Sequence, residues 1–406
     1  MIRLEAKTDC CGCTACYAAC PVSAISMEPD EEGFLYPQVN TDSCIGCGRC
    51  ERVCPVLGTR ASGAESKGEI VSAYAARTRD NDVLANSSSG GFTTPLIDWV
   101  ISNGGVVCGA AFDDRYRVCH RLFENEDAAK STRGSKYVQS EMGECFAQIK
   151  EQLRTGRQVC FIGTPCQVAG LKLFLQEEFL NLITIDVICY GVPSPWLWSK
   201  YLDYQMSSHH SAIKSVTFRN KTYGYHSSTM RIEFENGETY FGSARVDYML
   251  KSFFKDVASR PICYECPFKA LHHVSDITIF DCWHVSRLVE GLDDDDRGYT
   301  NVIIQSNIGR DALAEVEGLF ELHPVDVARM IELDGDMALG CAKPHPLRPI
   351  FYEGLDSETI EEHVQRLLPV TKVDRLMERS KGLFHRLGLM HLLSDIRRWL
   401  KHRRKV

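Results

Sequence analysis

Long apolar runs are absent from this chain of 406 residues, so nothing in it suggests a helix of the roughly 18 apolar residues that crosses a bilayer. The opening MIRLEAKTDCC carries charge with no apolar segment behind it, so no secretory signal is expected and a cytoplasmic protein is. Positive charge is not in excess. With 46 Lys and Arg against 54 Asp and Glu, the net charge of −8 argues against nucleic acid as a partner. G-x-G-x-x-G, G-x-x-x-x-G-K-[ST] and H-E-x-x-H are all missing, so neither a Rossmann dinucleotide site, a P-loop nor a zincin helix is indicated. The acidic run 293–296 lacks EF-hand spacing. The doublets at 209–210 and 272–273 show no histidine ligand pattern.

Cysteine, by contrast, is abundant, with 19 in the chain. Eight of them fall in the first 54 residues as two copies of C-x2-C-x2-C-x3-C-P: Cys10, Cys13, Cys16 and Cys20 before Pro21, then Cys44, Cys47, Cys50 and Cys54 before Pro55. This is the spacing of a bacterial two-cluster ferredoxin, in which three thiolates wrap one cubane and the fourth reaches across to the other. It predicts one [4Fe–4S] cluster on Cys10, Cys13, Cys16 and Cys54 and a second on Cys44, Cys47, Cys50 and Cys20. Structural zinc usually takes two separated C-x2-C pairs, and a disulfide framework belongs to exported proteins. In a reducing compartment thiols serve as metal ligands. This segment moves electrons.

At about 150 residues per domain the length suggests two or three units. Residues 1–57 form the dicluster module, with 33–40 as a hairpin between its halves; the repeat is offset by 34 residues. Residues 58–68 (GTRASGAESKG) read as a linker of small residues. Over 69–322, strand patterns at 70–76, 105–112, 116–123, 158–162, 182–188, 213–219, 230–235, 239–242, 276–280 and 302–305 alternate with helical ones at 90–102, 142–154 and 193–205. The fold class is therefore α+β, with a mixed α/β sheet domain behind the ferredoxin module. Residues 323–406 read as a helical region with a basic amphipathic end, where Arg397, Arg398, Lys401, Arg403, Arg404 and Lys405 accompany Trp399 and several leucines. Such a helix can make peripheral contact with the anionic inner face of a membrane, or pack its apolar side on the body.

Four further cysteines sit at punctuated positions: Cys166 in GTPCQ, Cys189 after an apolar strand, and the C-x2-C pair Cys263 and Cys266. Together they are adequate for a third [4Fe–4S] cluster, but a zinc site, a redox dithiol and unrelated buried thiols fit the spacing as well. Cys11, Cys108, Cys119, Cys145, Cys160, Cys282 and Cys341 read as packing residues, Cys11 and Cys282 being the most open to another role. The turn Ser87-Ser88-Ser89-Gly90-Gly91 opens a helical pattern and could present backbone N–H groups to a phosphate. Arg133 and Lys136, with Tyr137, could clamp one, although an ordinary capped turn gives the same pattern.

Taken together, SSSGGF (87–92), RGSKYVQS (133–140), GTPCQVAGLK (163–172), CYGVPSPWLW (189–198), CYECPFK (263–269) and SDITIFDCW (275–283) resemble the beta-subunit family of coenzyme F420 hydrogenases and dehydrogenases, over about residues 1–310. The resemblance implies an iron–sulfur flavoprotein. It favours Cys166, Cys189, Cys263 and Cys266 as ligands of a third cluster, and places Ser88, Ser89, Gly90, Gly91 and Lys136 near FAD. It further implies a ferredoxin or other redox protein as electron donor and a small-molecule acceptor, either a deazaflavin or another metabolite such as a glycan-linked one. The alternative within the family is a non-catalytic electron-transfer subunit. Where family members commonly read DITIGDFWG, this chain has Phe280 and His284 in place of two glycines, which is expected to narrow the space there. Asp281 and His284 flank that motif as acid–base candidates.

Overall fold

A computed structural model describes residues 1–62 and 69–389, with residues 59–62 described by backbone alone. The expected basic tail and residues 63–68 of the expected linker lie outside the described residues. The linker's first part is helical, because the helix Pro55–Ser62 opens on the proline that ends the second cysteine repeat and runs on through it.

In the N-terminal module, β1 (Ile25–Pro29) and β2 (Leu35–Val39) form an antiparallel hairpin with Ile25 opposite Val39. It is wider than the 33–40 turn read from the sequence. Asp30 closes it, its Oδ1 accepting from the N–H groups of Glu32 and Phe34 at 3.0 and 2.9 Å. The body follows with β3 (Ser72–Thr78), β4 (Val106–Phe112), β5 (Val118–Phe123), β6 (Val159–Gly163), β7 (Leu182–Val187), β8 (Ile213–Asn220), β9 (Thr229–Phe234), β10 (Thr239–Ser243), β11 (Ile277–Cys282), β12 (Tyr299–Ile304) and β13 (Phe320–Pro324). Eight of these strands make one mixed sheet in the order β13-β3-β12-β11-β7-β6-β4-β5. Its centre, from β11 through β7 and β6 to β4, is parallel, and the flanking pairs are antiparallel. The remaining three form the antiparallel sheet β10-β9-β8.

The central strands are buried on both faces, hence their near-continuous apolar runs. One face is covered by helices Thr93–Ser102 and Asn307–Val316, which pack Leu96, Ile97, Val100, Leu313 and Val316 against it. The other is covered by helices Cys145–Arg154 and Pro165–Leu175, and the dicluster module joins this core through Cys13, Ala15 and Val53. A further core beneath the three-stranded sheet gathers helices Pro195–His209, Tyr248–Phe254 and Ile360–Leu367, and takes in Phe34 and Tyr36 from the hairpin. The N-terminal module is thus wedged into two cores. Among the described residues no helix is long and apolar enough to cross a membrane.

The region from 323 onward is largely helical, with Val327–Asp334, Ile360–Leu367 and Lys372–Arg386. Its first two residues, however, complete β13, which pairs with the outer edge of β3.

Candidate functional site

The two cysteine repeats fold alike. Gly12 and Thr14 in the first and Gly46 and Gly48 in the second all have positive φ, at 74°, 63°, 66° and 68°. Alternating left- and right-handed residues turn successive N–H groups inward, a concavity common around iron–sulfur sulfurs. Gly12 N–H donates to Cys10 Sγ at 3.4 Å, Ala24 N–H to Cys20 Sγ at 3.2 Å and Ile2 N–H to Cys50 Sγ at 3.3 Å. Cys20 lies with Cys44, Cys47 and Cys50 around one small pocket. Burial pushes the Cys16 thiol up, helped by its neighbours Cys10, Cys54 and Cys50, so Cys54 approaches the first repeat as the crossed pattern requires. Among the described residues no three of His, Cys, Asp or Glu converge tightly enough for a single ion. The ligands of a cubane stand farther apart, each on its own iron.

The body gathers the other four cysteines at the carboxyl ends of β6 and β7, adjacent parallel strands whose ends form the usual crevice of such sheets. Cys166 follows β6, in the first turn of the helix Pro165–Leu175. There the Thr164 N–H donates to Gln167 Oε1 at 2.9 Å, and Thr164 Oγ1 lies 3.2 Å from Cys166 Sγ. Cys189 follows β7. Two residues on, Gly191 admits the loop that carries the C-x2-C pair, for a Cβ there would fall 2.6 Å from Ser259 Oγ. Cys263 lies in the short helix Pro261–Glu265 and Cys266 just after it. Burial, then the proximity of Cys166, pushes Cys189 up to about 11 and Cys266 to about 12. Cys263 is raised by burial and then by Cys189, Cys266 and Cys166. Four half-buried thiols that resist ionising together suit a cationic metal core, which takes thiolates.

The two cysteine sets adjoin. The helix Pro165–Leu175 meets the first repeat so closely that a Cβ on Gly170 would lie 2.9 Å from Cys13 Sγ. Cys11, read from the sequence as a packing residue, has its thiol beside both Cys13 and Cys166, which act on its ionisation. Cys341 Sγ, also read as packing, accepts the Cys266 N–H at 3.1 Å. Arg260, which the sequence reading passed over, is fully buried between the two sets. The only local cue to it was its place just before the C-x2-C pair.

The expected flavin residues are brought together in part. The loops at 87–91 and 133–136 touch where the Ser135 N–H donates to Ser88 Oγ at 2.9 Å. Ser89 Oγ pairs with Thr300 Oγ1 at 2.8 Å, and a Cβ on Gly90 would lie 2.3 Å from Ala76 O, so packing on β3 and β12 already accounts for that glycine. Lys136 Nζ donates to the carbonyls of Ser131, Arg133 and Gly134 at 2.8, 3.1 and 3.2 Å, and burial pushes it down to about 7. A second lysine that the sequence did not single out, Lys221, donates to Leu84 O, Ser89 O and Arg297 O; burial, then Arg219 and Arg297, pushes it down to about 7. Arg133 Nε and Arg219 Nη2 are buried without a partner. These orphaned donors suit an anionic ligand beside the 87–91 loop.

At the altered motif, Phe280 packs with Ala73, Ile303 and Met330. His284 Nδ1 lies 2.7 Å from Asp334 Oδ1, so both replacements meet the helix Val327–Asp334. Asp281 is held by Arg219 at 2.5 Å and by the Tyr225 hydroxyl at 3.2 Å.

Comparison with known proteins agrees with this layout. Residues 73–146 match the N-terminal region, and 156–328 the C-terminal region, of the coenzyme F420 hydrogenase/dehydrogenase beta subunit. Residues 9–57 match the 4Fe-4S dicluster domain. No curated protein matches the chain. Among solved structures it aligns with a chain of the xenon-derivatised F420-reducing [NiFe] hydrogenase complex from Methanosarcina barkeri, at 19% identity over 74% of this chain and 92% of that one, with a TM-score of 0.42. The chain belongs to the coenzyme F420 hydrogenase/dehydrogenase beta-subunit family, an oxidoreductase family, and carries its own iron–sulfur dicluster domain for electron transfer.

Proposed function

We propose that the chain is an iron–sulfur flavoprotein oxidoreductase that takes electrons from a ferredoxin or other redox protein and delivers them, by way of FAD, to a small organic acceptor such as a deazaflavin or another metabolite, a glycan-linked one included. Cys10, Cys13, Cys16 and Cys54 hold one [4Fe–4S] cluster, Cys44, Cys47, Cys50 and Cys20 a second, and Cys166, Cys189, Cys263 and Cys266 a third. Bound FAD supplies the conversion of single electrons into pairs.

The chain's own residues prepare these sites. The second repeat exposes Cys47 and leaves Ile45 64% exposed, offering a small apolar contact for a docking donor. The middle of the first repeat, residues 12–16, is buried against the helices beneath it. Ser88, Ser89, Gly90, Gly91 and Lys136 hold the flavin's phosphate region, with Lys221 as a further cation. Because burial holds both Lys136 and Lys221 down to about 7, flavin affinity should fall as pH rises through 7; Lys136→Met should weaken that dependence, and Lys136→Met with Lys221→Met should remove it. The basic segment from Arg397 to Lys405 gives peripheral contact with the inner face of a membrane; deleting residues 386–406 should then release the protein from anionic vesicles.

The observation that carries the reading is the meeting of Cys166, Cys189, Cys263 and Cys266 next to the first repeat. The test is iron, acid-labile sulfide and flavin per chain after purification without oxygen. About twelve irons with one FAD supports the full assignment; about eight irons without flavin would leave an electron-transfer subunit that relies on a partner for its chemistry.

A further inference from the structure

Arg260 is completely buried, yet among the described residues no carboxylate pairs with it. Its Nε donates to Cys10 O at 2.8 Å and its Nη1 to Gln139 Oε1 at 3.1 Å, while Nη2 has no partner. The guanidinium lies 3.9 Å from the Tyr36 ring centroid and 5.6 Å from that of Phe34. Aromatic faces and neutral carbonyls soften the burial of a cation, but an uncompensated charge in a dry interior is strongly unfavourable.

The backbone of Arg260 belongs to the four-cysteine site. Its N–H donates to Val192 O, three residues after Cys189, and its carbonyl accepts the Cys263 N–H, both at 2.9 Å. Its side chain lies against the first repeat, where a Cβ on Gly12 would fall 3.2 Å from Nη1, and its charge also acts on Cys166. Arg348, in contact with the same segment, is the contrast. Its Nε donates to Ser259 O at 2.9 Å, and its two other nitrogens grip Glu32 at 2.8 and 2.6 Å. One buried arginine has its counter-charge in the chain, and the other does not.

We infer that the counter-charge of Arg260 is the anionic cluster of the first repeat, and that Arg260 is a positioning and tuning residue. It favours the reduced, more negative state of that inner cluster over that of the outer one on Cys20, Cys44, Cys47 and Cys50. One electron then leaves the outer cluster and one arrives at the inner, with no bond made and no proton moved, so the bias points toward the body. The inference rests on the cluster assignments above, but it does not need the third cluster or the flavin.

The test is an EPR-monitored potential titration of the full chain, with dithionite as reductant and the inner signal identified as the one lost in Cys16→Ser. Arg260→Gln should shift the inner cluster's reduction equilibrium about tenfold toward the oxidised state, about 59 mV for one electron, and leave the outer cluster in place. Arg260→Lys should recover most of the shift, and Arg348→Gln should cause none. Gln139→Glu, nearly isosteric, gives the guanidinium a carboxylate where it stands and should shift the inner cluster in the same direction, so the inference stays testable if Arg260→Gln loses iron. An inner potential unchanged in a cluster-replete Arg260→Gln or Gln139→Glu protein overturns it. Iron and flavin counts on the same samples report separately on the proposed function.

Discussion

The two cysteine repeats share every ligand position and the same left-handed turns, and yet they occupy opposite environments. At equivalent places the first has Cys11, Ala15 and a buried Thr14, and the second has Ile45, Arg49 and Gly48. Cys11 reaches Cys13 and Cys166, whereas Ile45 stands in solvent. A Cβ on Gly12 would collide with Gln139 Nε2 at 2.2 Å, whereas one on Gly46 would meet nothing. Ligand spacing decides what each loop can hold. The residues between the ligands decide which loop faces the body and which faces a partner.

This contrast can be broken most directly at the paired glycines. Gly12→Ala and Gly46→Ala share the left-handed penalty of about 1–2 kcal/mol. Gly12→Ala adds overpacking against Gln139 and Arg260, on the order of another 1–3 kcal/mol. Thermal unfolding of the two variants should therefore separate them, with Gly12→Ala the less stable, and equal losses would mean that the first loop is not pinned. Ile45→Glu comes next. Placing a charge in the exposed apolar contact should raise KM for a redox-protein donor about tenfold while leaving turnover with dithionite unchanged. An unaltered KM would move donor docking elsewhere.

The smallest effect is one of pH. His120 is buried, its Nδ1 and Nε2 lying 2.8 Å from Ser140 Oγ and 3.1 Å from Ile162 O, and burial holds it down to about 4. Its ring stacks on Phe161, which belongs to the core beneath the first repeat. A histidine pKa lowered in the fold gives stability that is complete above 6.5 and is lost as pH falls from there toward 4. Between pH 7 and 5.5 the loss should be about 1 kcal/mol, and His120→Gln should flatten that part of the stability profile. An equal slope in the variant would mean that His120 is not the source of this pH dependence.

Much of this was legible in the sequence because it is local. Ligand spacing and the apolar runs of the parallel strands need no tertiary information. β13 was not legible: Glu321 and His323 alternate with apolar residues over only five positions, and the strand exists because β3 has a free edge to pair with. The linker's helical start was masked by Gly58 and two small residues. The roles of Cys11 and Arg260 depend on which loops meet across more than 150 positions of chain, and no periodicity records that. The 87–91 segment was visible as a turn, but the structure shows that packing on Thr300 and Ala76 already occupies part of it.

The claim on which the proposed function depends is that the four cysteines at the ends of β6 and β7 and in the following C-x2-C hold a cluster of their own. Iron per chain, measured on wild type and Cys166→Ser purified side by side without oxygen, tests it. The assignment predicts about four fewer irons in the variant with both dicluster signals intact. Equal iron in the two proteins would contradict it.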